Sequence, residues 1–274
     1  MIPAAFDYVR ADSADGALAA LREHGDDAKL LAGGMSLIPL MKLRLATPTV
    51  LVDVGRVGDL SYVRDAGEHV AIGALTRHRD LETSDLLRDQ CGVLRAVAAQ
   101  VGDNQVRHRG TLGGSVAHGD PASDLPAALL ALDATLVVRG ASGDRTVPAT
   151  GFFRGFLETA LAPDEMLTEI RVPKTGPSGF SYQKFQRRKQ DWAIVGAVAV
   201  RNGATRVALV NMATTPVRAS AVEDALGNGA SVADAAQHAA DGTDPPADLN
   251  ASTEYREHLA RVLTRRALEE ASAS

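Results

Sequence analysis

Residues 107–126 read Arg107-His108-Arg109-Gly110-Thr111-Leu112-Gly113-Gly114-Ser115-Val116-Ala117-His118-Gly119-Asp120-Pro121-Ala122-Ser123-Asp124-Leu125-Pro126. The run starts basic, turns through paired glycines and ends at Ser123-Asp124, ahead of the apolar stretch Leu125 to Leu132. Ser or Asp before such a stretch signals a helix N-cap, and proline suits a first helical turn. Glycines ahead of a helix start let backbone N–H groups approach an anion. A second segment of this kind, Leu30-Leu31-Ala32-Gly33-Gly34-Met35-Ser36-Leu37, lies upstream. Either pair alone reads first as a tight turn. Together, with Thr111, Ser36 and Ser115 as added hydroxyl donors, they are expected to clamp one diphosphate from two sides. Dipoles and hydrogen bonds then neutralise the anion with few lysines.

Working outward, the N-terminal part reads as strand, helix, strand, glycine turn, helix, strand. Phe6 to Val9 is the first strand, Ser13 caps a helix closed near Gly25, and Lys29 to Ala32 is a short buried strand. Ser36 is expected to cap a helix through Met41, and Thr49 to Val54 is a β-branched strand. Leu60 to Arg64 and His69 to Gly73 form a hairpin. Thr76 is expected to cap a helix, and Val93 to Val101 forms another, ending at Gly102. After the central stretch come a helix from Asp124, a strand Ala134 to Arg139, and a returning strand Arg145 to Ala149. Phe152, Phe153 and Phe156 fit a short helix burying its rings. Met166 to Val172 is a strand, and Lys174 to Gly179 reads as a linker. Three sequential strands follow: Phe180 to Arg187, Trp192 to Arg201 and Thr205 to Met212. The rest is expected to be helical: Val217 to Leu226, Val232 to Ala240 and Thr253 to Ala271, the last with Tyr255, Leu259, Val262 and Leu263 on one face.

Composition narrows the function. With 274 residues, 45% apolar and 23% charged, the chain is an ordinary globular sequence able to bury a sizeable core. Its net charge of −5 argues against nucleic acid as the main partner. One cysteine, Cys91, excludes an internal disulfide and a cysteine-ligated iron–sulfur cluster held by this chain alone. The expected role of Cys91 is a small buried apolar residue. No apolar run reaches the ~18 residues of a membrane span, and the N-terminus lacks a signal-peptide pattern, so a cytoplasmic protein is expected. There is no G-x-G-x-x-G after the first strand, no G-x-x-x-x-G-K-[ST], no H-E-x-x-H and no G-x-S-x-G. The seven histidines do not fall at metal-ligand spacings. A self-contained hydrolase or metalloenzyme gains no support.

Residues 32–46, Ala32-Gly33-Gly34-Met35-Ser36-Leu37-Ile38-Pro39-Leu40-Met41-Lys42-Leu43-Arg44-Leu45-Ala46, together with Arg109 to Pro126, closely resemble the FAD-binding medium subunits of the molybdenum hydroxylases, and among them the carbon monoxide dehydrogenase type. The opening Met1 to Tyr8 and the closing Glu254-Tyr255-Arg256 helix look like that family too. The resemblance covers the whole chain. It implies an α+β protein: a two-lobed vanillyl-alcohol-oxidase/PCMH-type FAD-binding domain over 1–173, with lobes about 1–55 and 56–173. A small α+β domain over 178–274 follows, with a three-stranded antiparallel sheet and helices.

The resemblance also implies roles. Ala32, Gly33, Gly34, Met35 and Ser36 would hold the pyrophosphate with Thr111, Gly113, Gly114 and Ser115, and Leu37, Ala117 and His118 continue the two segments. Lys29, Leu30 and Leu31 would lie beside the adenosine, which Asp124 would bond. Val101, Gly102, Val106 and Gly110 would line the cleft. Leu167 and Lys184 would approach the flavin. Trp192 stands where relatives often carry tyrosine and either covers the isoalloxazine or is a core residue. Met35 replaces the histidine or asparagine common at its place, where only the backbone N–H is needed. Asp124 as a plain N-cap, and Arg107, His108 and Arg109 as solvated charges, are the simpler readings.

The implied function is electron transfer by a subunit with no catalytic residue and no metal of its own. Partners would be an iron–sulfur small subunit and a molybdenum-containing large subunit, in a dimer of heterotrimers. The acceptor would be quinone, oxygen or NAD, and the complex either free in the cytoplasm or held at the inner face of the membrane through that acceptor. Alternatives are the flavin subunit of a molybdenum hydroxylase acting on an N-heterocycle, an aldehyde or an aromatic acyl thioester, and a non-redox nucleotide-binding protein.

Overall fold

The computed structural model describes residues 2–273, so Met1 and Ser274, the outermost residues of the expected spans, lie outside it. The first lobe is a parallel sheet of β1 (Asp7–Arg10), β2 (Ala28–Leu31) and β3 (Val50–Asp53) in the order β1-β3-β2. Helix α1 (Ala14–His24) crosses from β1 to β2, and Ser13 caps it by accepting from Gly16 N. Ala17, Leu18 and Leu21 pack on Val50 and Val52. Helix α2 (Leu37–Lys42) leads into β3, but Ser36 makes no side-chain cap to it.

The second lobe is an antiparallel sheet ordered β4-β5-β10-β6-β7, from β4 (Val63–Asp65), β5 (His69–Gly73), β6 (Thr135–Gly140), β7 (Gly143–Pro148) and β10 (Met166–Pro173). Six helices lie between β5 and β6: α3 (His78–Thr83), α4 (Asp85–Gln90), α5 (Gly92–Ala99), α6 (Asn104–Arg109), α7 (Leu112–His118) and α8 (Asp124–Ala131). Thr76 caps none of them. Its hydroxyl donates to Tyr62 O at 2.9 Å and accepts from Tyr62 N at 3.1 Å, which ties the chain to β4, and α3 starts after Arg77. Phe152, Phe153 and Phe156 form no helix. Phe152 is buried before the small hairpin of β8 (Phe153–Gly155) and β9 (Glu158–Thr159), whereas Phe156 sits at its tip, 64% exposed. Phe153 starts a strand and Phe156 lies in the turn after it, so the three rings never share a helical face.

The last unit is an antiparallel sheet of β11 (Gly179–Phe185), β12 (Val195–Asn202) and β13 (Ala204–Val210), the three strands expected, extended by a two-residue β14 (Val217–Arg218). Val217 and Arg218 therefore pair with Leu209 and Ala208 instead of opening a helix; α9 is Ser220–Gly227. Helix α10 (Val232–Ala235) runs into a 3-10 turn, and α11 (Thr253–Ala273) closes the chain. Strand β12 is apolar at every position from Val195 to Val200 because both its faces are covered. Val198 and Val200 join Leu129 and Val97 on the side of the second lobe, while Val195, Ala197 and Ala199 join Leu259, Leu263 and Ala267 of α11. The buried face of α11 includes Arg256 but not Tyr255, which is exposed. Arg256, 1% exposed, donates to Ile194 O and pairs with Asp248 at 2.9 Å, pinning α11 to the loop before β12.

Helix α8 is buried along its whole length, between the second lobe and the C-terminal sheet. That explains its unbroken apolar run. The expected linker is also held: Thr175 N donates to Gln90 O at 2.8 Å, and Lys174 Nζ pairs with Asp65 at 2.7 Å.

Candidate functional site

A cleft of about 850 Å³ opens where the two lobes and the C-terminal sheet meet. It lies at the carboxyl end of β2, the place where open parallel sheets form ligand crevices. The residues that the resemblance assigns to the cofactor all lie on the wall of this cleft. Lys29, Leu30, Leu31, Ala32, Gly33, Gly34, Met35, Ser36 and Leu37 form one side, and Gly110, Thr111, Gly113, Gly114, Ser115, Ala117 and His118 face them. Val101, Gly102 and Val106 continue the second side, and Asp124, Leu167, Lys184 and Trp192 come from α8, β10, β11 and the loop before β12.

The two glycine segments touch. A Cβ on Gly33 would stand 2.2 Å from the Arg109 carbonyl oxygen and 2.9 Å from Gly110 Cα. Only hydrogen fits there. Gly34 has φ +75°, the left-handed conformation that turns the chain from β2 into α2. As a result the main-chain N–H groups of Gly33, Gly34, Met35, Ser36 and Leu37 donate to no acceptor among the described residues. Five successive free donors make an anion cradle.

The second segment works differently from the expectation. Gly113 and Gly114 are not ahead of a helix but inside the first turn of α7, whose N-cap is Thr111. Its N–H groups are already committed: Leu112 to Thr76 O at 2.9 Å, Gly113 to Ala74 O at 2.8 Å, Gly114 to Thr111 Oγ1 and Ser115 to Thr111 O, each at 3.1 Å. Of the N–H groups from Thr111 to Ser115, only that of Thr111 has no acceptor among the described residues. What the segment offers an anion is that N–H and the Thr111 and Ser115 hydroxyls. Gly113 is there for packing, since a Cβ would lie 2.6 Å from Ala74 Cβ. Arg107, His108 and Arg109 end α6. Arg107 bonds Glu82 Oε2 at 3.0 Å and Val101 O at 3.1 Å, so it braces the wall residue Val101 and does not stay solvated.

Asp124 is no N-cap; Ser123 holds that position. Its carboxylate accepts from the Tyr182 hydroxyl and, at 2.8 Å, from Lys184 Nζ, which also donates to Gln100 O at 3.1 Å. Both charged side chains are nearly closed off from solvent, 5% and 2% exposed. Burial pushes the Asp124 carboxyl above its ordinary range against the pull of Lys184, and burial raises the Tyr182 hydroxyl as well. This ion pair bolts the C-terminal sheet to α8 at the cleft wall. Trp192 is 56% exposed at the rim, so it is not a core residue. His118 lies below its ordinary pKa because it is partly buried.

Sequence reasoning missed several wall residues. His78 belongs to α3, and Leu157, Glu158 and Thr159 to the β8–β9 hairpin; Met166 opens β10, while Gln190 and Asp191 lie on the rim beside Trp192. No local pattern marks them. Cys91 is buried as expected, its thiol pushed up to about 12 by desolvation. No described helix is long and apolar enough to cross a membrane.

An anion cradle of main-chain donors in a cleft of about 850 Å³, walled by two lobes and a third unit, is the site of a protein that binds a nucleotide cofactor. Residues 4–175 match the family described as the FAD binding domain in molybdopterin dehydrogenase, and residues 180–271 match the CO dehydrogenase flavoprotein C-terminal domain. The chain is 41% identical to the carbon monoxide dehydrogenase medium chain of Hydrogenophaga pseudoflava, over 100% of this chain and 99% of that one. It is 37% identical to the 6-hydroxypseudooxynicotine dehydrogenase complex subunit alpha of Paenarthrobacter nicotinovorans, over 99% and 96%. Among solved structures, carbon monoxide dehydrogenase from Hydrogenophaga pseudoflava superposes with a TM-score of 0.96 at 42% identity, covering 100% and 99% of the two chains. The chain therefore belongs to the FAD-binding flavoprotein subunits of the molybdenum hydroxylases, and its cofactor is FAD.

Proposed function

We propose that the chain is the electron-transfer subunit of a molybdenum hydroxylase of the carbon monoxide dehydrogenase type. In this reading a molybdenum-containing large subunit oxidises the substrate, and an iron–sulfur small subunit relays electrons to this chain, within a dimer of heterotrimers. Quinone is the acceptor we favour over oxygen or NAD. The complex works in the cytoplasm, or at the inner membrane face through its acceptor. The observation that carries the reading is the run of free N–H groups from Gly33 to Leu37, on the wall of the same cleft of about 850 Å³ that Thr111 and Ser115 line.

The isoalloxazine, when bound, takes up and releases the electrons. This chain's residues bind and orient. Gly33 to Leu37 and Thr111 would hold the pyrophosphate, Lys29 to Leu31 would flank the adenosine, and Leu167, Lys184 and Val101 would shape the flavin end. Trp192, exposed at the rim, would cover the ring and limit which acceptor reaches it. With one cysteine, this chain leaves a cysteine-ligated cluster to another subunit.

The 37% identity to a subunit of 6-hydroxypseudooxynicotine dehydrogenase favours an N-heterocycle hydroxylase as the second reading. The test is the flavin spectrum of the whole complex purified with its partner subunits. Bleaching by carbon monoxide supports the first reading, and bleaching by N-heterocycles alone the second. A complex without flavin refutes both.

A further inference from the structure

His78 is the one buried imidazole on the cleft wall without a partner. It is 4% exposed, and its Nδ1 is enclosed with no hydrogen bond. Nε2 bonds no described residue either. The main chain holds the residue firmly, His78 N donating to Gly110 O at 3.0 Å. The ring fills the space a side chain on Gly110 would need: a Cβ there would stand 2.6 Å from Cδ2 and 2.8 Å from Nε2. Gly110 in turn abuts Gly33, so the imidazole sits one residue from the point where the two segments converge.

A buried polar group with no partner calls for a ligand or a reason. Desolvation, helped by the positive charges of Arg77 and Arg107, holds the ring neutral, with a pKa lowered to about 4. A neutral imidazole has one N–H to give. No protein group competes for it, since Nδ1 has neither donor nor acceptor within reach.

We propose that His78 is a positioning residue for the FAD pyrophosphate, its Nε2–H donating to a phosphate oxygen beside the Gly33–Leu37 cradle. The proposal rests on the flavin reading above. It gives the second side of the cleft a nitrogen donor beside the free Thr111 N–H, the N–H groups from Leu112 to Ser115 being committed elsewhere, and it explains Gly110 as the residue that makes room for the ring.

The test compares FAD and ADP affinities of the full-length wild type, His78→Phe and His78→Gln. Phenylalanine keeps the ring but not the donor, and glutamine offers an amide N–H at similar reach. The expected result is a loss of roughly 5- to 50-fold for both ligands in His78→Phe, with His78→Gln within about 3-fold of wild type. Wild-type affinity in His78→Phe overturns the proposal. Should the variants not fold, a crystal structure of the wild-type chain with FAD decides. Nε2 within hydrogen-bond distance of a phosphate oxygen supports the assignment, and Nε2 directed elsewhere overturns it. A wild type that takes up neither FAD nor ADP overturns the flavin reading and this inference together; a wild type that binds both while His78→Phe binds equally overturns this inference alone.

Discussion

Adding one methyl group at Gly33 tests the convergence of the two segments. The Cβ of Gly33→Ala would stand 2.2 Å from the Arg109 carbonyl oxygen, and both are main chain, so no rotamer change relieves the clash. A relaxed carbon–oxygen contact is about 3.3 Å or more, so the segments must part by about 1 Å. Overpacking of this kind costs about 1–3 kcal/mol of stability. The larger effect is on the ligand. Parting the segments by about 1 Å takes Thr111 out of hydrogen-bond range of an anion seated on the Gly33–Leu37 cradle. Losing one or two charge-assisted bonds removes about 2–4 kcal/mol of binding, a roughly 30- to 1,000-fold weaker FAD affinity. Gly227→Ala is the control, since nothing lies within 4 Å of a Cβ there and its φ is not left-handed. FAD affinity by fluorescence titration, with thermal melting on the same samples, reads both terms. A Gly33→Ala protein that melts lower but binds FAD as the wild type does would refute the argument, because the clash would then have no connection to the cofactor.

Three further outcomes follow from the same geometry. Thr111→Val removes the hydroxyl that caps α7 through Gly114 N and faces the cleft, and should cost about 1 kcal/mol of stability in chemical denaturation, together with a roughly tenfold loss of FAD. Lys184→Met leaves the Asp124 carboxylate buried without its cation and should destabilise by about 3–5 kcal/mol, and Asp124→Asn in the same chain should recover part of it, as a double-mutant cycle would show. His78 has a folded pKa of about 4 against an unfolded value of about 6.5, so the unfolded chain binds the extra proton between them. Its contribution is complete above pH 6.5 and is lost as the pH falls towards 4, about 3 kcal/mol in all, a slope that His78→Gln should remove from a pH series of denaturation curves.

Much of the fold was legible because local chemistry and tertiary demand agree. Ser13 caps α1 as its spacing implies, and the β-branched run at Val50–Asp53 is the central strand of a buried parallel sheet. The exceptions share a cause. Thr76 has the composition of a cap, but Tyr62, on the adjoining segment, supplies both a donor and an acceptor for its hydroxyl. Val217 and Arg218 continue smoothly into an amphipathic pattern, yet the edge of β13 offers ladder bonds that a helix start cannot match. Asp124 sits beside an N-cap and is buried instead, because Lys184 and Tyr182 arrive from another domain. Each is decided by a partner distant in the chain, which no window of sequence contains.

The two glycine pairs look alike in sequence and do opposite things. Gly33-Gly34 releases donors: a left-handed residue at the end of a strand leaves the following N–H groups beyond the reach of any carbonyl. Gly113-Gly114 consumes them: a helix start lets two segments pack at backbone distance, and its own N–H groups turn inward to Ala74 and Thr111. A site made of two such halves needs one for affinity and the other for fit. In the first half the backbone does the binding, so a side-chain change that leaves the main chain as it is should alter neither affinity nor stability, except where, as at Gly33, the residue also forms the contact. Substitutions in the second should lower stability and affinity together. Paired measurements at Met35, whose backbone alone faces the anion, and at Gly113, 2.6 Å from Ala74 through its absent Cβ, separate the two behaviours. Met35→Ala should leave FAD affinity and melting temperature near wild type, and Gly113→Ala should depress both.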